Sequence, residues 1–327
     1  MGGVPLFFSH TTALRILRTA YLEKSDVVRS GILTLPDQAP GRSDYLESLR
    51  RLRLLHPGIK IDEPAHVLVK NDSRRRLSSY CKEHVCSAPL SGAIFYRLSE
   101  NAYVSIPALA FVNLASTLNH LSLLEFAYEL CGTYQTYRTG VESAYNVIPL
   151  TSVREISAFV GRNPSLKGSK KVQRALRYVS DKSASVRETK LALMLGLPCL
   201  YGGFGLGMPY MNFKVQANAR ARAITGKSSF RCDLCWPEAK LDVEYQSRYA
   251  HEGEARRIED SRRTNALIAM GWRVVGITNK EIESSEALET IAATIRRYLE
   301  RSIYARMADY PARRVNLRRQ LGLPINE

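Results

Sequence analysis

The sequence has no run of eighteen uninterrupted apolar residues, the approximate length that a membrane-spanning helix requires. The segment from Met1 to Tyr21 also lacks the charged stretch followed by an apolar stretch that marks a secretory signal. Cysteine is scarce, with 6 residues in 327, and these are too widely spread to form the disulfide framework of a secreted protein. We therefore expect a soluble cytoplasmic protein that does not enter the membrane.

The sequence also has fewer acidic than basic residues. The chain holds 31 Asp and Glu against 47 Lys and Arg, which gives a formal net charge of +16 and a pI of about 9.7. Such an excess of positive charge predicts a polyanionic partner, with nucleic acid as the first candidate. At 45% hydrophobic and 9% aromatic residues, the chain has enough apolar side chains to build folded cores, so intrinsic disorder is excluded as its main state.

The positive charge is concentrated in residues 151–327, which carry 31 basic and 18 acidic side chains. Three dense patches stand out there, around residues 167–177, 256–263 and 313–319. We predict that backbone phosphates of a nucleic acid, most simply DNA, contact the first two patches. The residues that we expect to make these contacts are Lys170, Lys171, Arg174, Arg257, Arg263 and His251.

The pattern of apolar residues predicts an α/β protein with two domains. The pattern over residues 1–150 predicts a smaller α/β module whose role is unknown. A protein partner that binds through this module is compatible with the sequence. Residues 140–151 read as a linker, and 151–327 as a basic domain with a helical lead-in and a core over about 183–303. The order expected for that core is helix, three strands, helix, strand and helix, which gives a mixed central sheet flanked by helices. A homodimer is compatible with this organisation.

Within the first module we expect a strand over 65–69, a helix over 73–81, strands over 92–98 and 102–106, and two packed helices up to Cys131. His66, His84 and His120 show no metal-ligand spacing along the chain. The glycine-rich run from Tyr201 to Gly207 lacks the spacing of a phosphate-binding loop and predicts a tight turn instead.

The residues with chemical potential lie in two strands, expected over 230–236 and 240–246 and joined at Pro237 as a hairpin. Because side chains alternate along a strand, Asp233 and Glu244 are expected to share one face, with Gln246 projecting on the same side. The same alternation places Cys232 and Cys235 on opposite faces, which argues against a zinc site at this Cys-x-x-Cys pair.

Two carboxylates held together beside a packed sheet repel each other and lose hydration unless a proton or a cation lies between them. Mg²⁺, or Mn²⁺ in its place, suits such a site because it prefers oxygen ligands. We expect Asp233 and Glu244 to be metal ligands, with Glu188 on the preceding helix as a third acid and third metal ligand. Gln246 is placed to orient the attacking water or a phosphate oxygen through its amide.

The hairpin and the residues that follow it resemble a known family. The segments are Arg231-Cys232-Asp233-Leu234-Cys235-Trp236-Pro237-Glu238 and Val243-Glu244-Tyr245-Gln246-Ser247, followed by His251, Asp260, Arg263, Leu267 and Gly271-Trp272-Arg273-Val274. Together they resemble the PD-(D/E)xK nuclease superfamily, and most closely the endonuclease-like domains related to very short patch repair endonucleases. The likeness covers roughly residues 183–303. Residues 1–150 are faintly similar to the modules found in abortive-infection-type antitoxin proteins.

The resemblance implies a restriction-endonuclease-like core and a metal-dependent endonuclease that hydrolyses DNA, with a setting in phage defence or mobile-element biology. It assigns Asp233 and Glu244 to the metal, Glu188 to the helix acid and Gln246 to the position that usually holds Lys. His251 and Arg263 become phosphate contacts, although capping or surface roles remain open for both. Because Gln246 is neutral, a DNA-binding regulator or antitoxin-like protein with little or no activity stays as an alternative, and RNA stays open as the substrate.

Overall fold

The computed structural model describes residues 4–20, 22–23, 26–29, 33–71, 78–246, 254–302 and 307–325. The chain forms two compact units, Met1–Arg177 and Tyr178–Glu327. The predicted boundary after residue 150 therefore differs from the observed one. The helices over Val153–Arg162 and Ser169–Ala175 belong to the first unit, which makes it the longer of the two.

The first unit contains a six-stranded sheet with helices packed on it. Its sheet strands are β1 (Leu6–Phe8), β2 (Val27–Arg29), β3 (Ala65–Val69), β4 (Cys81–Val85), β5 (Ala93–Ser99) and β6 (Ala102–Ser105). Its helices are α1 (His10–Thr19), α2 (Arg42–Leu55), α3 (Pro107–Ala115), α4 (His120–Cys131), α5 (Val153–Arg162) and α6 (Ser169–Ala175). Two short strands, β7 (Tyr134–Gln135) and β8 (Ala144–Tyr145), form a separate ribbon.

The six strands lie in the order β2-β5-β6-β1-β3-β4. The pairs β1–β6 and β3–β4 are parallel and the other pairs are antiparallel, so the sheet is mixed. The strands expected over 65–69, 92–98 and 102–106 are present, as are the two helices that end at Cys131. The helix expected over 73–81 is wrong at its described end, because Cys81 begins strand β4; residues 72–77 lie outside the described residues.

The second unit contains the predicted core. Its helices are α7 (Val186–Gly196), α8 (Ala219–Thr225), α9 (Glu254–Ala269), α10 (Asn279–Glu283), α11 (Ser285–Tyr298) and α12 (Tyr310–Gln320). Its strands are β9 (Tyr210–Gln216), β10 (Ser229–Trp236), β11 (Leu241–Gln246) and β12 (Arg273–Thr278). They form a mixed sheet in the order β12-β11-β10-β9, in which only the pair β11–β12 is parallel.

The parallel pair explains the position of α9, because a parallel connection needs a crossover and α9 supplies it. The side of the sheet that packs on α8 and α9 is apolar, with Phe230, Ala266, Leu267 and Trp272 in one buried cluster. The observed order is α7, β9, α8, β10, β11, α9, β12, α10 and α11, so the expected order of helix, three strands, helix, strand and helix is present with two additional short helices, α8 and α10. The α/β prediction with a mixed sheet flanked by helices is therefore confirmed.

The glycine-rich run after α7 makes a tight turn against α12. Gly202 has φ +88°, and a Cβ atom there would lie 2.3 Å from the carbonyl oxygen of Arg313. Gly203 has no such dihedral strain, but its Cβ would lie 2.2 Å from the carbonyl oxygen of Leu197. Glycine is required at both positions because backbone atoms approach too closely for any side chain.

Among the helices of the described residues, none combines the length and apolarity needed to cross a bilayer.

Candidate active site

The candidate active site lies where strands β10 and β11 separate. Regular pairing runs from Trp236↔Leu241 to Leu234↔Val243. Beyond that point the backbone N–H of Tyr245 donates to Oδ2 of Asp233 at 3.0 Å. The Asp233 carboxylate thus continues the ladder in place of a backbone carbonyl, which holds it between the two strands.

The strict alternation expected for β10 does not hold at this position. Cys232 and Cys235 both belong to the buried cluster against α8 and α9, and their thiols lie within hydrogen-bonding reach of each other. The prediction that they point to opposite faces is therefore wrong. The register places Asn212 of β9 opposite Asp233, and Asn212 has φ 48°, a left-handed conformation that interrupts the pleat of the sheet.

Asp233 is largely buried and close to two other acids. Burial is the largest cause that raises the pKa of Asp233, and the carboxylates of Glu244 and Glu188 raise it further, to about 8. The hydrogen bond from Tyr245 and the charge of Arg263 act in the opposite direction. Glu244 and Glu188 therefore both lie within electrostatic range of Asp233.

Glu188 is held by the first turn of α7. Its backbone N–H donates to the Ser185 hydroxyl at 3.1 Å, and Ser185 caps the helix. Its Oε2 accepts from the backbone N–H of Ala184 at 3.0 Å and from Nδ2 of Asn212 at 2.9 Å, while Oε1 lies 3.0 Å from the Ser185 hydroxyl. These contacts occupy much of the carboxylate, so Glu188 is better suited to shaping the field around Asp233 than to moving toward a ligand.

Glu244 is paired with an arginine. Nη2 of Arg263, on α9, donates to Oε1 of Glu244 at 2.5 Å and to the backbone carbonyl of Arg231 at 2.5 Å. The same Nη2 lies 3.7 Å from Oδ2 of Asp242. Arg263, expected to contact phosphate, is thus placed against the acids of the site.

Asp242 is a fully buried acid for which the sequence reading gave no role. Neither of its oxygens has a hydrogen-bond partner among the described residues. Burial first, and then Glu244, raise the pKa of Asp242 to about 12. One ligand atom from each of Cys232, Asp242 and Glu244 lies within 4.8 Å of the others, and the charge of Glu244 also acts on Asp233.

Gln246 ends β11 as an exposed residue, with its amide packed over Gly276 of β12. A Cβ on Gly276 would come within 2.8 Å of Nε2 of Gln246, so the glycine makes room for this side chain. The amide stays accessible on the side of the strand where Glu244 lies. His251 lies outside the described residues.

The residues expected to bind nucleic acid fall in both units. Lys170 and Arg174 are exposed on α6 in the first unit, whereas Nζ of Lys171 donates to the backbone carbonyl of Leu118. Arg257 is exposed on α9 in the second unit, where it lines a shallow groove with Ile258, Ser261 and Arg262. Lys170, Arg174 and Arg257 therefore keep their side chains available for phosphate, and Lys171 serves the fold.

The third basic patch, over 313–319, is only partly an open surface, because two of its four arginines are buried. Arg318 is 1% exposed and donates to the backbone carbonyls of Ile282, Glu283 and Pro324. Arg314 is 8% exposed, pairs with Glu289 and lies over the rings of Phe204 and Tyr310. These arginines hold α12 in place, so the charge run along the chain overstates the surface charge.

The histidines of the first unit are also closer than the sequence suggests. His10, at the start of α1, joins His66 of β3 and His84 of β4, and one ring nitrogen from each lies within 4.8 Å of the others. The spacing of His66 and His84 along the chain gives no sign of this approach in space. Burial lowers the pKa of His10 to about 2 and also lowers the pKa of His66, so these two rings are neutral at physiological pH.

Sequence reasoning missed three polar residues of the site, namely Asn212, Asp242 and Cys232. Asn212 joins the parts of the site, since its Oδ1 accepts from Nε of Arg231 at 2.6 Å while its Nδ2 bonds Glu188. The available signal for Asp242 was its place two residues before Glu244 on the same strand face. Asn212 on β9 has a left-handed dihedral, and Cys232 on the paired strand β10 lies on the side of Asp242. No local pattern in the sequence predicts this dihedral.

The donor atoms of the site fit a divalent cation. Asp233 and Glu244 offer carboxylate oxygens, the ligands that Mg²⁺ and Mn²⁺ prefer, and burial together with the neighbouring acids raises the pKa of Asp233. The group with Cys232 adds a sulfur atom, which suits softer ions such as Zn²⁺. The Asp233 side of Glu244 is therefore the better match for Mg²⁺.

Comparison with known proteins gives two relatives. The chain is 26% identical over 154 residues to the uncharacterized protein MT2308 of Mycobacterium tuberculosis strain CDC 1551 / Oshkosh, and equally to the uncharacterized protein Rv2248 of strain ATCC 25618 / H37Rv. The aligned part is 47% of this chain and 50% of each relative, so the chain spans about half the length of the curated relatives it matches. No protein-family model and no solved structure matches the chain. The chain is thus similar, over about half its length, to these mycobacterial proteins.

Proposed function

We propose that the protein is a metal-dependent endonuclease that hydrolyses phosphodiester bonds of DNA. The observation that carries this proposal is the partly buried carboxyl of Asp233, whose pKa is raised by burial and by the charges of Glu244 and Glu188. Like charges gathered in a poorly hydrated place destabilise a fold, and such a cost is typical of a functional site. The likeness of the hairpin to PD-(D/E)xK nucleases supports the same assignment.

In this proposal Asp233 and Glu244 hold Mg²⁺ or Mn²⁺. When bound, such an ion lowers the pKa of a water ligand and neutralises charge on the scissile phosphate. Glu188 keeps the local potential negative, and the amide of Gln246 orients a water molecule or a phosphate oxygen. Glu244 must exchange part of its contact with Arg263 for the ion, which frees a guanidinium group to approach phosphate.

DNA is the proposed substrate because the chain carries a net charge of +16 and keeps exposed cations on helices of both units. Arg257 lines the groove on α9, and Lys170 and Arg174 are exposed on α6. We place the protein in the cytoplasm, where its six free cysteines remain reduced, and in phage defence or mobile-element biology. Binding through phosphates releases counterions, so affinity for DNA should fall steeply with salt.

The test is cleavage of supercoiled plasmid in Mg²⁺, in Mn²⁺ and in EDTA. The proposal expects nicking that needs the metal and that Glu244→Gln abolishes, since the amide keeps an oxygen for Arg263 but loses the charge that holds the ion. Glu238→Gln is the matched control, because Glu238 is an exposed acid in the turn of the same hairpin. Intact plasmid in all lanes with wild-type protein contradicts the proposal, as does equal activity in Glu244→Gln.

One observation favours a second function, that of a DNA-binding regulator with the nuclease fold and no cleavage. Arg263 already neutralises Glu244 at 2.5 Å, and Gln246 stands where a Lys is usual. Under this alternative, calorimetry detects no uptake of Mg²⁺ at the acids even with DNA present, while a gel shift of DNA persists and weakens with salt. Competition of labelled DNA with unlabelled RNA decides which nucleic acid is preferred in either case.

A further inference from the structure

Three separate elements of the first unit bring His10, His66 and His84 together. Ser9 follows strand β1, and its backbone N–H donates to the carbonyl of His66 at 2.9 Å. The backbone N–H of His66 donates in turn to the hydroxyl of Thr12 on α1 at 3.0 Å. In the parallel pair β3–β4, the residue opposite His84 is Leu68, two positions after His66, so both histidines lie on one face of the sheet.

The ring nitrogens are close to the spacing of a metal site. Nδ1 of His66 and Nε2 of His84 are 2.9 Å apart. Two ligands of a tetrahedral ion with metal–nitrogen bonds of about 2.0 Å are separated by about 3.3 Å, so this pair needs to part by only a few tenths of an ångström. The rings of His10 and His84 are stacked with centroids 3.7 Å apart. Coordination requires them to turn about their Cβ–Cγ bonds, which leaves the backbone in place.

His10 has two features that are unfavourable for folding, a strained backbone dihedral and a buried polar ring. Its φ is 52°, an unfavourable left-handed value for a residue with a side chain, and the side chain is 6% exposed. Ser9 sits at the N-cap of α1, yet its hydroxyl makes no cap and lies 2.7 Å from Nδ1 of His10. A hydroxyl contact to one ring nitrogen leaves the other for a metal, which is the usual support for a histidine ligand.

We propose that His10, His66 and His84 bind one Zn²⁺ ion. Imidazole is a favoured ligand of zinc, and three histidines leave a fourth position for solvent. His66 and His84 are only half-buried, so water and the ion have access to the cluster. The ion links the start of α1 to strands β3 and β4. This site is made entirely by the first unit, and it does not depend on the acids around Asp233.

The test uses the full-length untagged protein, stripped of metal with a chelator and titrated with Zn²⁺ by calorimetry and with Co²⁺ by visible absorption. We expect one equivalent that gives the strong Co²⁺ spectrum of a four-coordinate, nitrogen-rich site. His66→Gln and His84→Gln should each weaken this binding by at least about 100-fold, the upper end of the loss seen when mere supporting contacts are removed. His120→Gln, which changes another histidine of the same unit, should bind like wild type.

Glu244→Gln separates this site from the acids of the second unit. If the equivalent persists in Glu244→Gln and disappears in His66→Gln, the zinc belongs to the histidines whatever the result of the nuclease assay. Far-UV circular dichroism shows whether each variant is folded, and the thermal midpoint of wild type should rise with Zn²⁺ while that of His84→Gln does not. The proposal is overturned if the folded wild-type protein binds no Zn²⁺ tightly. It is also overturned if His66→Gln and His84→Gln both bind Zn²⁺ as tightly as wild type.

Discussion

Replacing Asp242 by Asn should stabilise the second unit at neutral pH. Asp242 is 0% exposed in the middle of the sheet, and neither oxygen has a hydrogen-bond partner among the described residues. Burial is the main cause that raises the pKa of its carboxyl from an ordinary 3.8 to about 12, with Glu244 adding to it. The folded chain therefore keeps a proton on Asp242 at pH 7, whereas the unfolded chain releases it.

The size of the effect follows from the linkage between proton binding and folding. A raised acid pKa costs nothing below the unfolded pKa, and the penalty grows as the pH rises toward the folded pKa. At pH 7 the penalty for Asp242 is about 4 kcal/mol as an upper bound. Asn has the same shape, cannot ionise, and offers an N–H that Glu244 can accept. We expect Asp242→Asn to raise the free energy of unfolding by about 2 to 4 kcal/mol at pH 7.

Tryptophan emission is the assay, because both Trp residues of the chain, Trp236 and Trp272, are buried in the second unit. In EDTA at pH 7 the thermal midpoint of Asp242→Asn should exceed that of wild type by roughly 10 °C, and the difference should vanish near pH 4. Asp260→Asn, an exposed acid on α9, should leave the midpoint unchanged. A lower midpoint for Asp242→Asn at pH 7, or a difference that is the same at both pH values, would refute the reasoning.

Two further predictions concern the same unit and use the same emission assay. Asn212→Ala should cost about 2 to 4 kcal/mol, because it removes the bonds of Asn212 to Glu188 and Arg231 and keeps the left-handed φ of 48°. A change below about 0.5 kcal/mol would show that the site does not need this link. Gly202→Ala should cost about 3 kcal/mol or more, since its Cβ meets a backbone oxygen at 2.3 Å. Gly226→Ala is the control: with φ +72° and nothing within 4 Å of its Cβ, it should cost only about 1 kcal/mol, and equal losses would contradict the steric argument.

The sequence predicts the core of the second unit well where the signal is local. The alternating side chains and the turn at Pro237 predict strand β10 over 230–236, and the observed strand begins one residue earlier, at Ser229. The start predicted for β11, at residue 240, is one residue before the observed start at Leu241. Ser185 followed by Glu188 three residues later marks the start of α7, because this spacing caps a helix. These features depend on residues that are close together in the sequence, so they can be predicted from the sequence.

Features that depend on distant residues escape the same reading. The alternation of β10 fails at Asp233 because of Asn212, a residue on another strand. Arg318 belongs to a run of positive charge, but the carbonyls that bury it come from residues 282, 283 and 324. The histidine cluster forms because β3 lies between β1 and β4, an order of strands that no local pattern specifies.

The left-handed dihedral of Asn212 has a consequence for any attempt to move this site to another protein. The loop-and-strand segment 229–246 contains Asp233 and Glu244 and looks like a portable motif. On a host whose neighbouring strand is regular, the pleat would run unbroken through Asp233, and Cys232 would return to the side away from Asp242. A graft that keeps Cys232 beside Asp242 and Glu244 therefore requires three strands rather than two, with β9 and its asparagine carried along as part of the insert.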